Sequence, residues 1–221
     1  MAPLDTIDID TGAKPAASLI VLHGLGADGN DFVPFADEID LRAVGAVRWV
    51  FPHAPMRPVT INGGYVMRAW YDILGTESLR REDEAGLREA RAQVEALIAR
   101  ERGRGVAASR IVLAGFSQGC AMTLMTGLRH AERLAGLAGL SGYLPLPADT
   151  AAERSPANAD VPIFLAHGTY DPMIVLPRAS ASRDALRGLG YEVEWHEYAM
   201  PHSVCAEEIA DLQRWLLRVL A

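Results

Sequence analysis

The chain reads as an α/β protein, an open and mostly parallel sheet with helices on both faces. Three observations point there. Short apolar runs alternate with longer stretches of helical spacing along the 221 residues. Several of those runs are nearly continuous in apolar residues, as strands covered on both faces are. Residues 110–119 read R-I-V-L-A-G-F-S-Q-G, a β-branched run that delivers a G-x-S-x-G pentapeptide into a helix-compatible stretch.

In chain order, strands are expected at 4–9 and at 18–22 (S-L-I-V-L), followed by a helix over 30–44 and a strand at 47–51 (V-R-W-V-F). Residues 52–78 hold Pro52, Pro55, Pro58, Gly63 and Gly64 among several aromatics and read as an irregular loop. A helix is expected over 80–103, where Leu87, Ala90, Val94, Leu97 and Ile98 recur at helical spacing. Its Arg and Glu residues alternate in sign and read as a solvated face. The strand at 110–114 and helix at 117–131 carry the pentapeptide, and 134–140 (L-A-G-L-A-G-L) is the next strand. Residues 142–160, with Pro145, Pro147 and Pro156, read as a second irregular loop. Strands at 161–166 and 191–198 and helices at 176–189 and 203–220 complete the pattern. Neither loop is long enough for a cap domain, so a site at the sheet edge is expected to be shallow and open.

The length suits one domain, 1–221, with a substantial core. Half the residues are hydrophobic, yet no apolar run approaches the ~20 residues that a membrane span needs. The start, M-A-P-L-D-T-I-D-I-D, is acidic and unlike a signal peptide. With Cys120 and Cys205 alone there is no disulfide framework, and a reduced, cytoplasmic protein is expected. A net charge of −7 disfavours nucleic acid and anionic membrane surfaces as partners. No stable membrane insertion is expected, and monomer and homodimer stay open.

Within G-F-S-Q-G, Ser117 is the candidate nucleophile. A serine hydroxyl needs a neighbouring base, and in this strand–turn–helix setting acid and histidine follow the serine in sequence. His23 and His53 precede it, and His130 lies more than three turns along the helix, pointing away. His196 sits inside a strand pattern and His167 ends a strand. His202 lies between the last strand and the last helix, where a loop can swing an imidazole over the serine. Of the four aspartates between them, Asp149 and Asp160 flank a loop and Asp184 is mid-helix. Asp171 stands at the carboxyl end of a strand, the edge where α/β sheets collect catalytic groups. The backbone N–H groups of Gln118 and of Leu25, in the H-G-L-G loop, are the candidate oxyanion donors.

Gly24 to Gly29 also satisfies G-x-G-x-x-G after a strand. A dinucleotide site needs an acid ~20 residues on, and 44–54 has none. No cofactor and no metal is therefore expected. Trp70, Tyr71, Met67 and Leu74 are candidates for an acyl-chain wall, weighed equally against plain packing. Arg57 and Arg68 read as solvated surface, and the two cysteines as small hydrophobes.

These positions sit in L-H-G-L-G-A-D-G (22–29), F-P-H-A-P-x-R-P-V-T-I-N-G-G (51–64), W-Y-D-I (70–73), G-F-S-Q-G, H-G-T-x-D-P (167–172) and P-H-S-V (201–204). By these motifs the chain resembles the phospholipase/carboxylesterase family of α/β-hydrolases, which includes acyl-protein thioesterases and small bacterial carboxylesterases. The R-P-V-T-I-N-G-G and W-Y-D-I segments resemble the bacterial branch. The resemblance implies the α/β-hydrolase fold, a Ser117–His202–Asp171 triad and an oxyanion hole at Leu25 and Gln118. Met173-Ile174 depart from the family's usual valine-like residue after D-P.

The expected activity is hydrolysis of short- to medium-chain carboxylic esters through an acyl-serine, with a small-molecule ester as substrate. Turnover is expected to rise with pH as the imidazole loses its proton. The alternatives are a thioesterase or lysophospholipase acting on long acyl chains, and a hydrolase-fold binding protein without turnover.

Overall fold

The computed structural model describes residues 3–75 and 82–221. Seven strands form its main sheet: β1 (Thr6–Asp10), β2 (Ala17–Leu22), β3 (Val47–Pro52), β6 (Ile111–Phe116), β7 (Gly136–Leu140), β8 (Ile163–Gly168) and β9 (Val193–Tyr198). Their spatial order is β1-β3-β2-β6-β7-β8-β9. Only β1 runs antiparallel, pairing Thr6 with Pro52 and Asp10 with Arg48. All seven strands expected from apolar runs are present, each within two residues of its expected start. A two-stranded antiparallel ribbon, β4 (Met56–Val59) and β5 (Tyr65–Arg68), lies apart from them.

Alternation along each strand divides the core between the two faces. Ile20, Leu22, Val50, Ile111 and Leu113 point to one side. There they meet α2 (Glu84–Gly103) and α3 (Gln118–Gly127). Leu87, Ala90, Val94 and Ile98 of α2 are fully buried. Each large one contributes roughly 1.5–3 kcal/mol over its exposed state, so packing rather than propensity holds this helix. α5 (Leu176–Gly188) covers the same face through Leu186. Leu19, Val21, Trp49, Val112, Ala114 and Phe164 point to the other side, against α6 (Ala206–Val219) and Phe32 and Phe35. All ten residues of α3 are buried, and none of them is charged.

Two small residues set how closely helices approach the sheet. A Cβ on Gly136 would come within 2.5 Å of Cη2 of Trp215, whose indole fills that space from α6. A Cβ on Gly127 would meet Leu137 in the same way, at 2.1 Å.

The window at 30–44 is not one helix. It holds a 3₁₀ turn at Gly29–Phe32, a single helical turn α1 (Phe35–Glu38) and a second 3₁₀ turn at Arg42–Val44. Pro34 has no N–H to continue a helix through it, and Ile39 turns extended at φ −100°, ψ 107°. The start of the 80–103 window falls on residues 80 and 81, outside the described residues. The prolines of the ribbon β4–β5 disguise it in the sequence as an irregular loop. Pro58 pairs with Val66 on a two-stranded ribbon, where a missing ladder donor is tolerated. Gly63 and Gly64, at φ 65° and 79°, make its turn. The loop at 142–160 holds α4 (Pro147–Glu153), too short to show a period. Among the described residues, no helix is long and apolar enough to cross a membrane.

Candidate active site

Ser117 stands between β6 and α3 with φ 56° and ψ −115°. A non-glycine residue there stores about 1–3 kcal/mol of backbone strain. Two glycines make the turn sterically accessible. A Cβ on Gly115 would lie 2.3 Å from the carbonyl carbon of Gly119, and one on Gly119 would lie 1.9 Å from the carbonyl oxygen of Leu22. The Ser117 N–H donates to the Leu140 carbonyl at 2.9 Å, tying the turn to β7.

Asp171 follows β8 and its carboxylate is buried. Its Oδ1 accepts from the N–H groups of Met173 (2.8 Å) and Ile174 (2.9 Å). Its Oδ2 lies 2.6 Å from Nδ1 of His202. With Nδ1 engaged, Nε2 of His202 is the nitrogen left for chemistry. The backbone approach that brings the two together depends on Gly168, where a Cβ would sit 2.4 Å from the carbonyl oxygens of Met200 and Pro201. The His202 ring also leans on Phe116, the residue before the serine, with centroids 4.7 Å apart. Ser117, Gln118, Leu25 and His202 all line one cavity of about 850 Å³.

The H-G-L-G loop is held from beneath. Nδ1 of His23 donates to the Gly24 carbonyl at 2.7 Å, and its Nε2 accepts from the Ala54 N–H at 3.0 Å. Burial pushes this imidazole below its usual range, consistent with that neutral tautomer. Gly26 N–H donates to Arg68 and Ala27 N–H to Gly24. Among the described residues, the N–H groups of Leu25 and Gln118 have no acceptor within the chain. The two candidate oxyanion donors therefore stay available to a ligand oxygen. The decoy glycines have structural reasons: Gly26 has φ 77°, and a Cβ on Gly29 would meet the Phe51 carbonyl oxygen at 2.6 Å. Only a single 3₁₀ turn follows them, not the longer helix whose N-terminus would hold a pyrophosphate.

The four candidate acyl-wall residues part company. Tyr71 lines the cavity, and its hydroxyl lies 2.7 Å from that of Tyr143. Trp70 does not line it. It is fully buried, its indole N–H donating to the His23 carbonyl at 2.8 Å and its backbone N–H to Oε1 of Gln118 at 3.1 Å. Met67 lies under Gly26 and contacts Asn62, Leu74 is exposed, and neither lines the cavity. Beside Tyr71, apolar lining comes from Leu25, Phe32, Phe35, Ile73, Phe116 and Val204 among others, with charged side chains such as Asp31 and Arg178 also at the cavity. Phe32 and Phe35 follow the H-G-L-G motif by a few residues, a proximity that periodicity does not flag. Gln118 contributes more than the backbone N–H expected of it: its side-chain amide donates to the Tyr71 carbonyl at 2.9 Å and so clamps residues 70–71 onto the start of α3.

Three other histidines are engaged away from the site. His130 meets Glu95 at 2.6 Å, His196 meets Glu194 and Asp211, and His53 accepts from Gly29. Arg57 pairs with Glu89, and Arg68 donates to the Ala54 carbonyl. Both cysteines are free thiols, and burial pushes that of Cys120 up to about 12. No group of three or more metal-ligating side chains occurs among the described residues.

Known proteins share both sequence and shape with this chain. The family model for phospholipase/carboxylesterase matches residues 6–220. An acyl-protein thioesterase 1 from Yarrowia lipolytica is 39% identical over 221 residues, covering 98% of this chain and 97% of the relative. The crystal structure of Arabidopsis thaliana SOBER1 superposes with a TM-score of 0.88 at 31% identity, over 93% of this chain and 99% of that one. That of Zea mays acyl-protein thioesterase 2 gives 0.87 at 27% identity, over 98% and 99%. The matched span, the elbow and the sheet order agree: the chain belongs to the phospholipase/carboxylesterase family and has its α/β-hydrolase fold.

Proposed function

We propose that this protein hydrolyses long-chain acyl thioesters and esters through an acyl-serine. Ser117 attacks the acyl carbonyl while Nε2 of His202 takes its proton. Asp171 holds the imidazole in the required tautomer and stabilises its charged form. The N–H groups of Leu25 and Gln118 receive the oxyanion, a contribution worth ~10²–10³ in turnover per donor. His202 then protonates the leaving thiolate or alkoxide, and water repeats the cycle on the acyl-serine.

The observation that carries this reading is the 2.6 Å contact between Asp171 and His202 at a cavity that Ser117 also lines. The acyl-chain choice rests on the cavity itself. At about 850 Å³, with a mostly apolar lining, it has the volume that a long acyl chain needs. Phe32, Phe35 and Ile73 contribute to that lining, on segments whose sequence reads as a plain helix and an irregular loop. The thioesterase names of relatives at 39% identity favour the same choice over a short-chain esterase.

A panel of acyl thioesters and esters of rising chain length, run on wild type and Ser117→Ala, tests it. A maximum at long chains, lost in Ser117→Ala, is the expected result. A maximum at two to six carbons returns the short-chain reading, and wild-type turnover in Ser117→Ala removes the nucleophile. A fluorophosphonate label on Ser117 separates either enzyme from a pure binding protein.

A further inference from the structure

Two histidines face Asp171, and only His202 has a place in the proposed reaction. His167, near the end of β8, is fully buried. Its Nε2 lies 2.7 Å from the Ile174 carbonyl oxygen and 3.4 Å from Oδ2 of Asp171. A carbonyl only accepts, so Nε2 carries the proton. The Ile174 N–H in turn donates to Oδ1 of Asp171. The ring holds the residue that holds the acid.

We infer that His167 is a positioning residue, a neutral Nε2–H clamp that ties the 171–174 turn to β8 and so aims Oδ2 of Asp171 at Nδ1 of His202. The inference rests on the triad reading proposed above.

The opposite edge of the ring fixes its charge. Nδ1 is buried and has no hydrogen-bond partner among the described residues. A second proton there would make a buried N–H without an acceptor. The groups around the ring are Asp171 and His202 on the site side, Glu197 beside it on β9, Cys120 from α3 and Tyr143. Burial outweighs the pull of Asp171 and Glu197 and drives the imidazole below its usual range. The ring therefore presents a donor to the turn and adds no second cation beside the acid.

Wild-type protein labelled with ¹⁵N in its histidines provides the first test. The expected spectrum shows His167 with a protonated Nε2 and a bare Nδ1, unchanged from the ordinary imidazole range of about pH 6.5 up to about pH 9. A proton on Nδ1, or titration inside that range, overturns the inference. The second test is kinetic. His167→Leu removes the donor and is expected to lower kcat on the order of 10- to 100-fold with KM unchanged. The acid limb of kcat/KM is expected to move to lower pH, because His202 loses support from a misaimed carboxylate. His167→Gln, whose amide N–H can reach the same carbonyl, is expected to recover most of both. A folded His167→Leu with wild-type kcat, an acid limb that stays or rises, or a His167→Gln as slow as His167→Leu overturns the clamp. If His167→Leu does not fold, the wild-type spectrum decides alone. That spectrum needs no substrate, so its outcome is separate from the triad reading, which Ser117→Ala tests.

Discussion

The indole N–H of Trp70 donates to the carbonyl oxygen of His23 at 2.8 Å, inside the core and away from the cavity. Through that bond the 69–71 segment steadies the loop that offers Leu25. Trp70→Phe removes the donor and leaves a buried carbonyl unpaired. A loss of about 1–3 kcal/mol in urea unfolding is expected, with the acyl-chain preference unmoved. A changed chain-length profile in this variant would put Trp70 back in the wall.

Val204 tests the wall from inside. It lines the cavity beside His202 and Phe116. Val204→Trp is expected to lower kcat/KM for long acyl chains roughly 10-fold more than for acetyl, the scale at which a hydrophobic pocket discriminates. Equal losses on both substrates would mean that the chain runs elsewhere.

Backbone strain at the elbow gives a third expectation. Ser117→Gly relieves the positive φ of 56° but adds freedom to the unfolded chain. The balance is a gain of about 1 kcal/mol, seen as a Tm rise of about 2–4 °C, together with loss of turnover. A Tm below wild type would show that the turn is not strained.

Much of this arrangement was legible in the chain, for a physical reason. Strands covered on both faces need continuous apolar runs, so β2, β6, β7 and β8 announce themselves. Ser117, Asp171 and His202 stand at strand ends, where a catalytic group can be located from the element before it. Beyond Tyr71, the cavity wall was not legible. Its residues come from α1, the turn before it and the segment after β5, too short for a period to show. Trp70 and Phe35 have like chemistry, and only the path of the chain puts one under the loop and the other at the cavity. Hydrogen-bonding side chains such as Gln118 and His167 act through backbone partners that no sequence spacing specifies.

Glu208, in the first turn of α6, predicts how stability varies with pH. Burial raises its carboxyl to about 8, against the opposing pull of the Cys205 backbone N–H. Below the ordinary range of about 4 the group is protonated in both folded and unfolded chains. As pH rises from there to about 8, the unfolded chain gives up a proton that the folded chain keeps, so stability falls. Above that, both forms are ionised and the fall stops. Glu208→Gln is expected to flatten this slope and to be the more stable protein at alkaline pH, by a few kcal/mol in chemical denaturation. Parallel curves for the two proteins would assign the slope to other groups.

The indole of Trp215 nested over Gly136 reaches further than its own neighbourhood. It anchors α6, and α6 begins four residues beyond His202. His202 thus hangs from a tether whose far end is screwed into the middle of the molecule. A methyl group introduced at Gly136 would push on that tether, so harm done there is expected to surface first as sluggish turnover in a protein that still folds.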